Sequence, residues 1–344
     1  MEAKKNIKDL TYLELEAYFK EKYNQKFRAK QVFKWLSLGV ESFSEMTDIS
    51  KKMAEELEQE FFISTLKPVK KEVSKDGTIK FLYELTDKNT IETVLMSYHH
   101  GMSICISTQV GCNMGCTFCA STVGGKLRDL SAGEILDQVI FTAKNCGIKI
   151  SNIVLMGIGE PLDNFENVVK FLNNVNDENG LNIGYRHISL STCGLVPEIE
   201  KLSKLKIPLT LSISIHAPND EIRRKTMPIA NKYGYQLLID TIKNYIKENG
   251  RRVSFEYTLI DGLNDRTEHA MELSKWLKGM LCHINLIPVN KARGNMLPSE
   301  IKKVNNFKNI LIKNGLNATV RRTLGTDISA ACGQLRRSST AFPK

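Results

Sequence analysis

Apolar and polar positions follow three different rhythms along this chain. From Leu10 to Tyr23, Lys30 to Leu38 and Ile49 to Phe61, apolar side chains recur at three-to-four spacing, which predicts three amphipathic helices. Residues 67–98 change character. Phe81-Leu-Tyr-Glu-Leu and Ile91-Glu-Thr-Val-Leu-Met read as strands of a small antiparallel unit, with Asp76-Gly77 and Lys88-Asn89 as turns. From about residue 100, strand and helix patterns alternate. Strands are expected at 103–108, 152–156, 187–191, 208–214, 252–259, 283–287 and 317–322. Helices are expected near 131–145, 164–176, 196–204, 235–248, 266–279 and 299–314. Six strand–helix units and one further strand imply a parallel sheet, because parallel neighbours need crossover helices. Six units are too few for a closed eight-fold barrel and suit an open, partial one. Periodicity alone leaves a doubly wound sheet as the alternative.

Composition narrows the class. The 344 residues are 42% apolar and 25% charged, ordinary values for a soluble globular protein. No apolar run is long enough to cross a membrane. The opening Met1-Glu-Ala-Lys-Lys and the polar sequence after it do not read as a signal peptide. A cytoplasmic protein is therefore expected, and its eight cysteines call for metal or catalytic chemistry before disulfides. The net charge of +10 suits a polyanionic partner without requiring one. Its basic runs, Lys70-Lys71, Arg223-Arg224-Lys225, Arg251-Arg252, Arg321-Arg322 and Arg336-Arg337, are scattered as on a solvated surface.

The sharpest motif is Gly111-Cys112-Asn-Met-Gly-Cys116-Thr-Phe-Cys119, just past the first parallel strand. Three thiolates in C-x3-C-x2-C spacing can hold three corners of an iron–sulfur cube. The fourth iron is then open, and S-adenosylmethionine (SAM) can chelate it. A structural zinc site wants four ligands, and no second cysteine pair lies nearby. Met156-Gly157-Ile-Gly159-Glu160-Pro161 follows the second strand, where glycines allow close ligand approach and Glu160 could neutralise an ammonium. Ser191-Thr192, Ser214-Ile215-His216 and Pro288-Val289-Asn290 end later strands. Singly each is a cap or turn. Together they line the rim where parallel barrels place active sites. Cys105 and Cys332, like Cys146, Cys193 and Cys282, read individually as small buried hydrophobes. Glu92, in a strand pattern, reads as a solvent-facing carboxylate.

Ile91-Glu92-Thr-Val, Gln109-Val-Gly-Cys112-Asn-Met-Gly-Cys116-Thr-Phe-Cys119, Met156-Gly-Ile-Gly-Glu160-Pro-Leu, Ser214-Ile-His216-Ala-Pro-Asn-Asp-Glu, Ile284-Asn-Leu-Ile-Pro and Asp327-Ile-Ser-Ala-Ala-Cys332-Gly-Gln-Leu carry a wider signal. In order and spacing they resemble the RlmN/Cfr family of radical SAM RNA methyltransferases, over nearly the whole chain. The resemblance implies an α/β fold: a partial (β/α)6 radical SAM barrel over 100–344. It also implies a helical RNA-binding domain at 1–65 and a short β unit at 66–99 that carries the general base. The activity implied is methylation of carbon 2 of an adenosine, in the peptidyl-transferase region of 23S rRNA and 3′ to the anticodon in some tRNAs. Carbon-8 methylation of the same rRNA adenosine, as by Cfr, is the near rival. A radical SAM enzyme acting on a protein or small molecule is the more distant one.

Carried onto this chain, the resemblance assigns Cys112, Cys116 and Cys119 to a 4Fe–4S cluster. It assigns Gly159, Glu160, Ser191, Ser214, Ile215, His216 and Asn290 to SAM. Cys332 would accept a methyl group from one SAM, and a radical from a second would activate it for transfer to the base. Glu92 would take the carbon-2 proton, and Cys105 would attack the Cys332 sulfur to release the product, leaving a Cys105–Cys332 disulfide. An electron donor such as flavodoxin and a monomeric state are further expectations.

Overall fold

The computed structural model describes residues 4–290 and 296–335, so the pair Arg336-Arg337 lies outside the described residues. The N-terminal periodicity becomes three helices, α1 (Tyr12–Tyr23), α2 (Phe27–Ser37) and α3 (Lys51–Glu60). Thr11 starts α1 through a capping box with Glu14, which satisfies two otherwise orphaned backbone donors. Phe19, Val32, Phe33 and Leu57 close a core that belongs to this segment alone. A buried ion pair ties it to the rest of the molecule. Lys8 Nζ lies 2.5 Å from Asp137 Oδ1, both side chains being fully enclosed, and donates a second bond of 2.9 Å to the Ser64 carbonyl. The Phe141 ring lies 5.0 Å from the same ammonium.

Among the described residues, ten strands form one continuous sheet. In chain order they are β1 (Lys67–Val73), β2 (Ile79–Glu84), β3 (Thr90–Tyr98), β4 (Gly101–Cys105), β5 (Ile150–Leu155), β6 (Ile188–Thr192), β7 (Thr210–Ser214), β8 (Val253–Leu259), β9 (Cys282–Pro288) and β10 (Ala318–Val320). Each lies beside its neighbours in sequence. Strands β4 to β10 are parallel, and β1 to β4 are antiparallel. Crossovers run through α4 (Ala132–Cys146), α5 (Phe165–Asn176), α6 (Val196–Lys204), α8 (Tyr235–Asn249), α9 (Thr267–Leu277) and α10 (Ile301–Lys313), within two residues of the expected helices at most ends. This is the open, singly wound arrangement, not the doubly wound sheet. The core runs between sheet and helices, with Ile153, Leu190, Leu211, Phe255 and Ile284 fully buried.

Two features depart from the sequence expectation. The antiparallel unit has a third strand, β1, and joins the barrel sheet directly, Val94 on β3 opposite Cys105 on β4. Strand β1 reads Lys-Pro-Val-Lys-Lys-Glu-Val and is exposed along most of its length, so no buried face marks it in sequence. Lysine and proline on an outer strand also block pairing with other chains. The second feature is α7 (Asp220–Thr226), a short helix capped by Asn219. It falls inside the basic run expected to be solvated, yet Arg223 is 0% exposed. That expectation fails because a seven-residue helix turns its residue 223 inward while Arg224 and Lys225 remain outside, paired with Asp220 and Glu221.

Candidate functional site

The strand ends that the motifs follow converge on one cavity of about 130 Å³. Cys112, Cys116 and Cys119 line it from the loop after β4, Gly159 and Glu160 from the loop after β5, and Ser191, Ser214, His216 and Asn290 from the ends of β6, β7 and β9. Cys332 reaches it from the loop after β10. Ile215 stands apart from the lining and is fully buried, its backbone N–H donating 3.1 Å to the Glu256 carbonyl. A barrel of parallel strands makes this convergence natural, since every loop after a strand opens on the same face.

Backbone constraints fix the wall. Gly159 has φ +112°, and a Cβ there would stand 2.7 Å from the Gln109 Cβ, so only glycine fits. At Gly157 a Cβ would meet the Ile106 carbonyl oxygen at 2.6 Å. The Gln109 side-chain carbonyl accepts from the Glu160 N–H at 2.9 Å. Glu160 in turn accepts from the backbone N–H of Cys193 at 2.8 Å and of Leu162 at 3.2 Å. Burial raises its carboxyl above the usual range, against these donors. A buried carboxylate facing a cavity suits a cationic ligand group.

His216 adopts a left-handed backbone, φ +49°, and packs edge-on against Phe118. Its Nδ1 accepts from the Thr258 N–H at 2.9 Å. Burial, with a smaller push from Arg223, lowers its pKa to about 3, so the ring is neutral and a proton sits on Nε2. Ser191 and Ser214 bring their hydroxyls within 3.4 Å of each other.

A second cavity of about 40 Å³ adjoins the first and shares Met156, Asn290, Arg321 and Cys332 with it. Cys105 lines this second cavity with Val94, Met96 and Tyr98 of β3. The two cysteines read as inert hydrophobes thus meet at one place. Cys105 is buried, and burial, then Cys332, push its thiol up to about 12 while Arg321 pulls it down. Cys332 is exposed. Its loop is fastened on both sides. The Gly333 carbonyl accepts from the Ala120 N–H at 2.8 Å and the Leu335 carbonyl from Ser121 Oγ at 2.7 Å, both beside the cysteine triplet. Asp327 accepts from Ser74 Oγ at 2.6 Å, and the Gly325 N–H donates to Asp76 at 2.9 Å, in the β1–β2 turn.

Glu92 lines neither cavity. It lies on the face of β3 that bears Val94, Met96 and Tyr98, because alternate strand residues share a side. It is 6% exposed, not solvent-facing as a strand pattern suggests, and its carboxylate pairs with Lys80 at 3.3 Å. Lys80 also reaches the Ser329 carbonyl, 3.4 Å away in the Cys332 loop.

Sequence reasoning missed three lining groups. Cys193, buried in the core as expected, also lines the main cavity. Glu256 lines it too, held by Ser254 and Asn285 at 2.8 Å each. Arg321, expected on a solvated surface, touches both cavities and stands 3.9 Å from Glu256. Its place directly after β10, at the rim, was the available signal.

The triplet fits a cluster. Its three cysteines line one cavity from a single short loop. A cube takes one thiolate at each of three separate irons.

Comparison with known proteins agrees. Residues 106–274 match the family model described as the radical SAM superfamily. Residues 5–63 match the ribosomal RNA large subunit methyltransferase N-terminal domain. A protein of Alkaliphilus oremlandii named as a probable dual-specificity RNA methyltransferase RlmN is 54% identical over 335 residues, 96% of this chain and 97% of its own. One of the same name from Clostridium tetani is 53% identical over 96% of both chains. The crystal structure of a radical SAM methyltransferase from Sphaerobacter thermophilus superposes with a TM-score of 0.91 at 41% identity, covering 96% of this chain and 99% of that one. This chain belongs to the RlmN family of radical SAM RNA methyltransferases, enzymes that work with a 4Fe–4S cluster and SAM.

Proposed function

We propose that this enzyme methylates carbon 2 of an adenosine, in the peptidyl-transferase region of 23S rRNA and 3′ to the anticodon of some tRNAs. The observation that carries this reading is the meeting of Cys105 and Cys332 at one cavity beside the cysteine triplet. Carbon 2 lies between two ring nitrogens and is too electron-poor to attack a methyl sulfonium, so an ordinary methyltransferase site would fail. When bound, the cluster and SAM supply a methyl group and a strong hydrogen-abstracting radical.

The chain's own residues do the rest. Cys112, Cys116 and Cys119 would hold the cluster, and Gly159, Glu160, Ser191, Ser214, His216 and Asn290 would hold SAM, with the buried Ile215 backing that wall. Glu160 faces the ammonium, and neutral His216 leaves that charge unopposed. The exposed Cys332 sulfur carries the carbon unit to the base and forms a covalent bridge to it. Glu92 removes the proton from carbon 2. The Cys105 thiol then loses its proton and its sulfur attacks the Cys332 sulfur, so that an S–S bond forms as the S–C bond breaks, and the carbon, left with that bond's electron pair, takes up a proton to become the methyl group. Burial keeps Cys105 protonated at rest, and a thiol is a poor nucleophile. The disulfide must be reduced before the next turnover.

Residues 1–65 act as the RNA-binding domain, an assignment supported by the family description over 5–63 and by the positive charge of the chain. Residues 66–99 present the base to the barrel of 100–344. The enzyme works as a cytoplasmic monomer with flavodoxin or a similar donor. No helix among the described residues is long and apolar enough to cross a membrane. Nucleoside analysis of rRNA and tRNA after anaerobic reaction with labelled SAM tests the proposal. The expected product is 2-methyladenosine in both RNAs, and 8-methyladenosine would replace this reading with the Cfr-type one.

A further inference from the structure

Arg223 is the least expected side chain near the site. It is 0% exposed, and its guanidinium cannot shed its proton in a protein. Only Nη2 is satisfied, donating 2.6 Å to the Cys193 carbonyl. Nε and Nη1 are buried and have no hydrogen-bond partner among the described residues. The carboxylate on the same helix, Asp220, is engaged elsewhere: it accepts from the Tyr235 N–H at 2.9 Å and pairs with Arg224 at 3.8 Å. Burying a cation with two idle donors is costly, and such sites call for a missing anion.

The surroundings say which anion. Helix α7 is joined to the cysteine loop, the Thr117 N–H donating 2.9 Å to the Thr226 carbonyl, and Gly115 packs against Pro228 just beyond the helix. Met227, next along, lines the cluster cavity, as does Cys193, to which Arg223 is bonded. We propose that Arg223 is a built-in countercharge for the iron–sulfur cluster, a positioning residue that favours the reduced cluster from behind the Cys116–Cys193 wall.

The electrostatics agree with this geometry. Ligation deprotonates a thiol outright. Each thiolate then adds negative charge on the side of Arg223, and reduction of the cluster adds one more. Cluster potentials follow net charge and hydrogen bonding around the cluster, and a fixed buried cation shifts the balance toward the reduced form. The inference rests on the cluster assignment to Cys112, Cys116 and Cys119.

The test is a redox titration of the reconstituted enzyme without SAM, followed by electron paramagnetic resonance, for wild type, Arg223→Lys and Arg223→Met. Arg223→Met is expected to shift the reduction equilibrium about tenfold against the reduced cluster, roughly 59 mV lower for one electron. Arg223→Lys keeps the charge and is expected to stay within about twofold of wild type. An unchanged midpoint in Arg223→Met overturns the proposal. So does an equal shift in both variants, because a structural role would not distinguish lysine from methionine. If Arg223→Met does not fold, Arg223→Gln, which can still donate to the Cys193 carbonyl, gives the same two-way reading. A wild-type protein that takes up no iron instead overturns the cluster assignment itself.

Discussion

The Asn290 side-chain amide donates a hydrogen bond of 3.0 Å to the backbone carbonyl of Cys332. One residue thus links the end of a barrel strand to the loop that bears Cys332, the proposed methyl carrier. Asn290→Ala is expected to slow methyl acceptance by Cys332 about fivefold, the equivalent of one hydrogen bond of ~1 kcal/mol. Mass spectrometry of the Cys332 peptide after incubation with SAM measures this, and iron content should not change.

Cys105→Ala should trap the enzyme on its RNA. With no sulfur to attack Cys332, the covalent bridge has no exit, and a denaturing gel should show a shifted band that ribonuclease removes. Absence of the band would count against the pairing of these two cysteines.

Cluster assembly and methyl transfer should be separable by mutation. Cys332→Ala is expected to abolish RNA methylation while iron and sulfide per chain match wild type. Cys116→Ala should lose the iron and with it all SAM cleavage. Iron assay and SAM-cleavage assay on both variants read this directly.

The Lys8–Asp137 pair fixes the N-terminal segment to α4. Burial already raises the Asp137 carboxyl to about 6, against the pull of Lys8. Lys8→Met leaves that carboxyl buried and unpaired, at an expected cost of about 3–5 kcal/mol. The double variant Lys8→Met/Asp137→Leu should recover most of the loss. Urea unfolding of the three proteins checks this.

His216 makes the fold acid-sensitive in a defined window. Its pKa is about 3 when folded against 6.5 for the unfolded chain, so the unfolded state binds the proton more readily. The associated stability is complete above pH 6.5 and lost as pH falls toward 3. The loss between pH 7 and pH 5 is about 2 kcal/mol. Asn tolerates the left-handed backbone, and His216→Asn should remove this component. Asp137 contributes with the opposite sign, since its folded pKa is raised, but equally in both proteins. Paired urea titrations at pH 7 and pH 5 give the difference.

Much of the barrel was legible because its strands bury at least every second residue at their centres and its helices are amphipathic. Strand β1 was not, since an exposed edge strand of lysines has no apolar face to read. The C-x3-C-x2-C triplet stood out by its spacing. Cys105, Cys332 and Glu92 carried no signal of their own and entered only through the family resemblance, because their adjacency depends on which elements the sheet sets side by side. That adjacency appears only in the register Val94↔Cys105 and in the fastening of the Cys332 loop. Arg223 and Arg321 were hidden for another reason. A basic doublet looks alike whether a helix or a strand end turns one member inward, and only packing distinguishes them.

The loop bearing Cys332 is clamped between the β1–β2 turn and the cysteine triplet, and it follows the last parallel strand. During synthesis, therefore, the loop of Cys112, Cys116 and Cys119 and most of the barrel leave the ribosome well before Cys332 does. A nascent chain can bury most of its core before Cys332 joins the cavity.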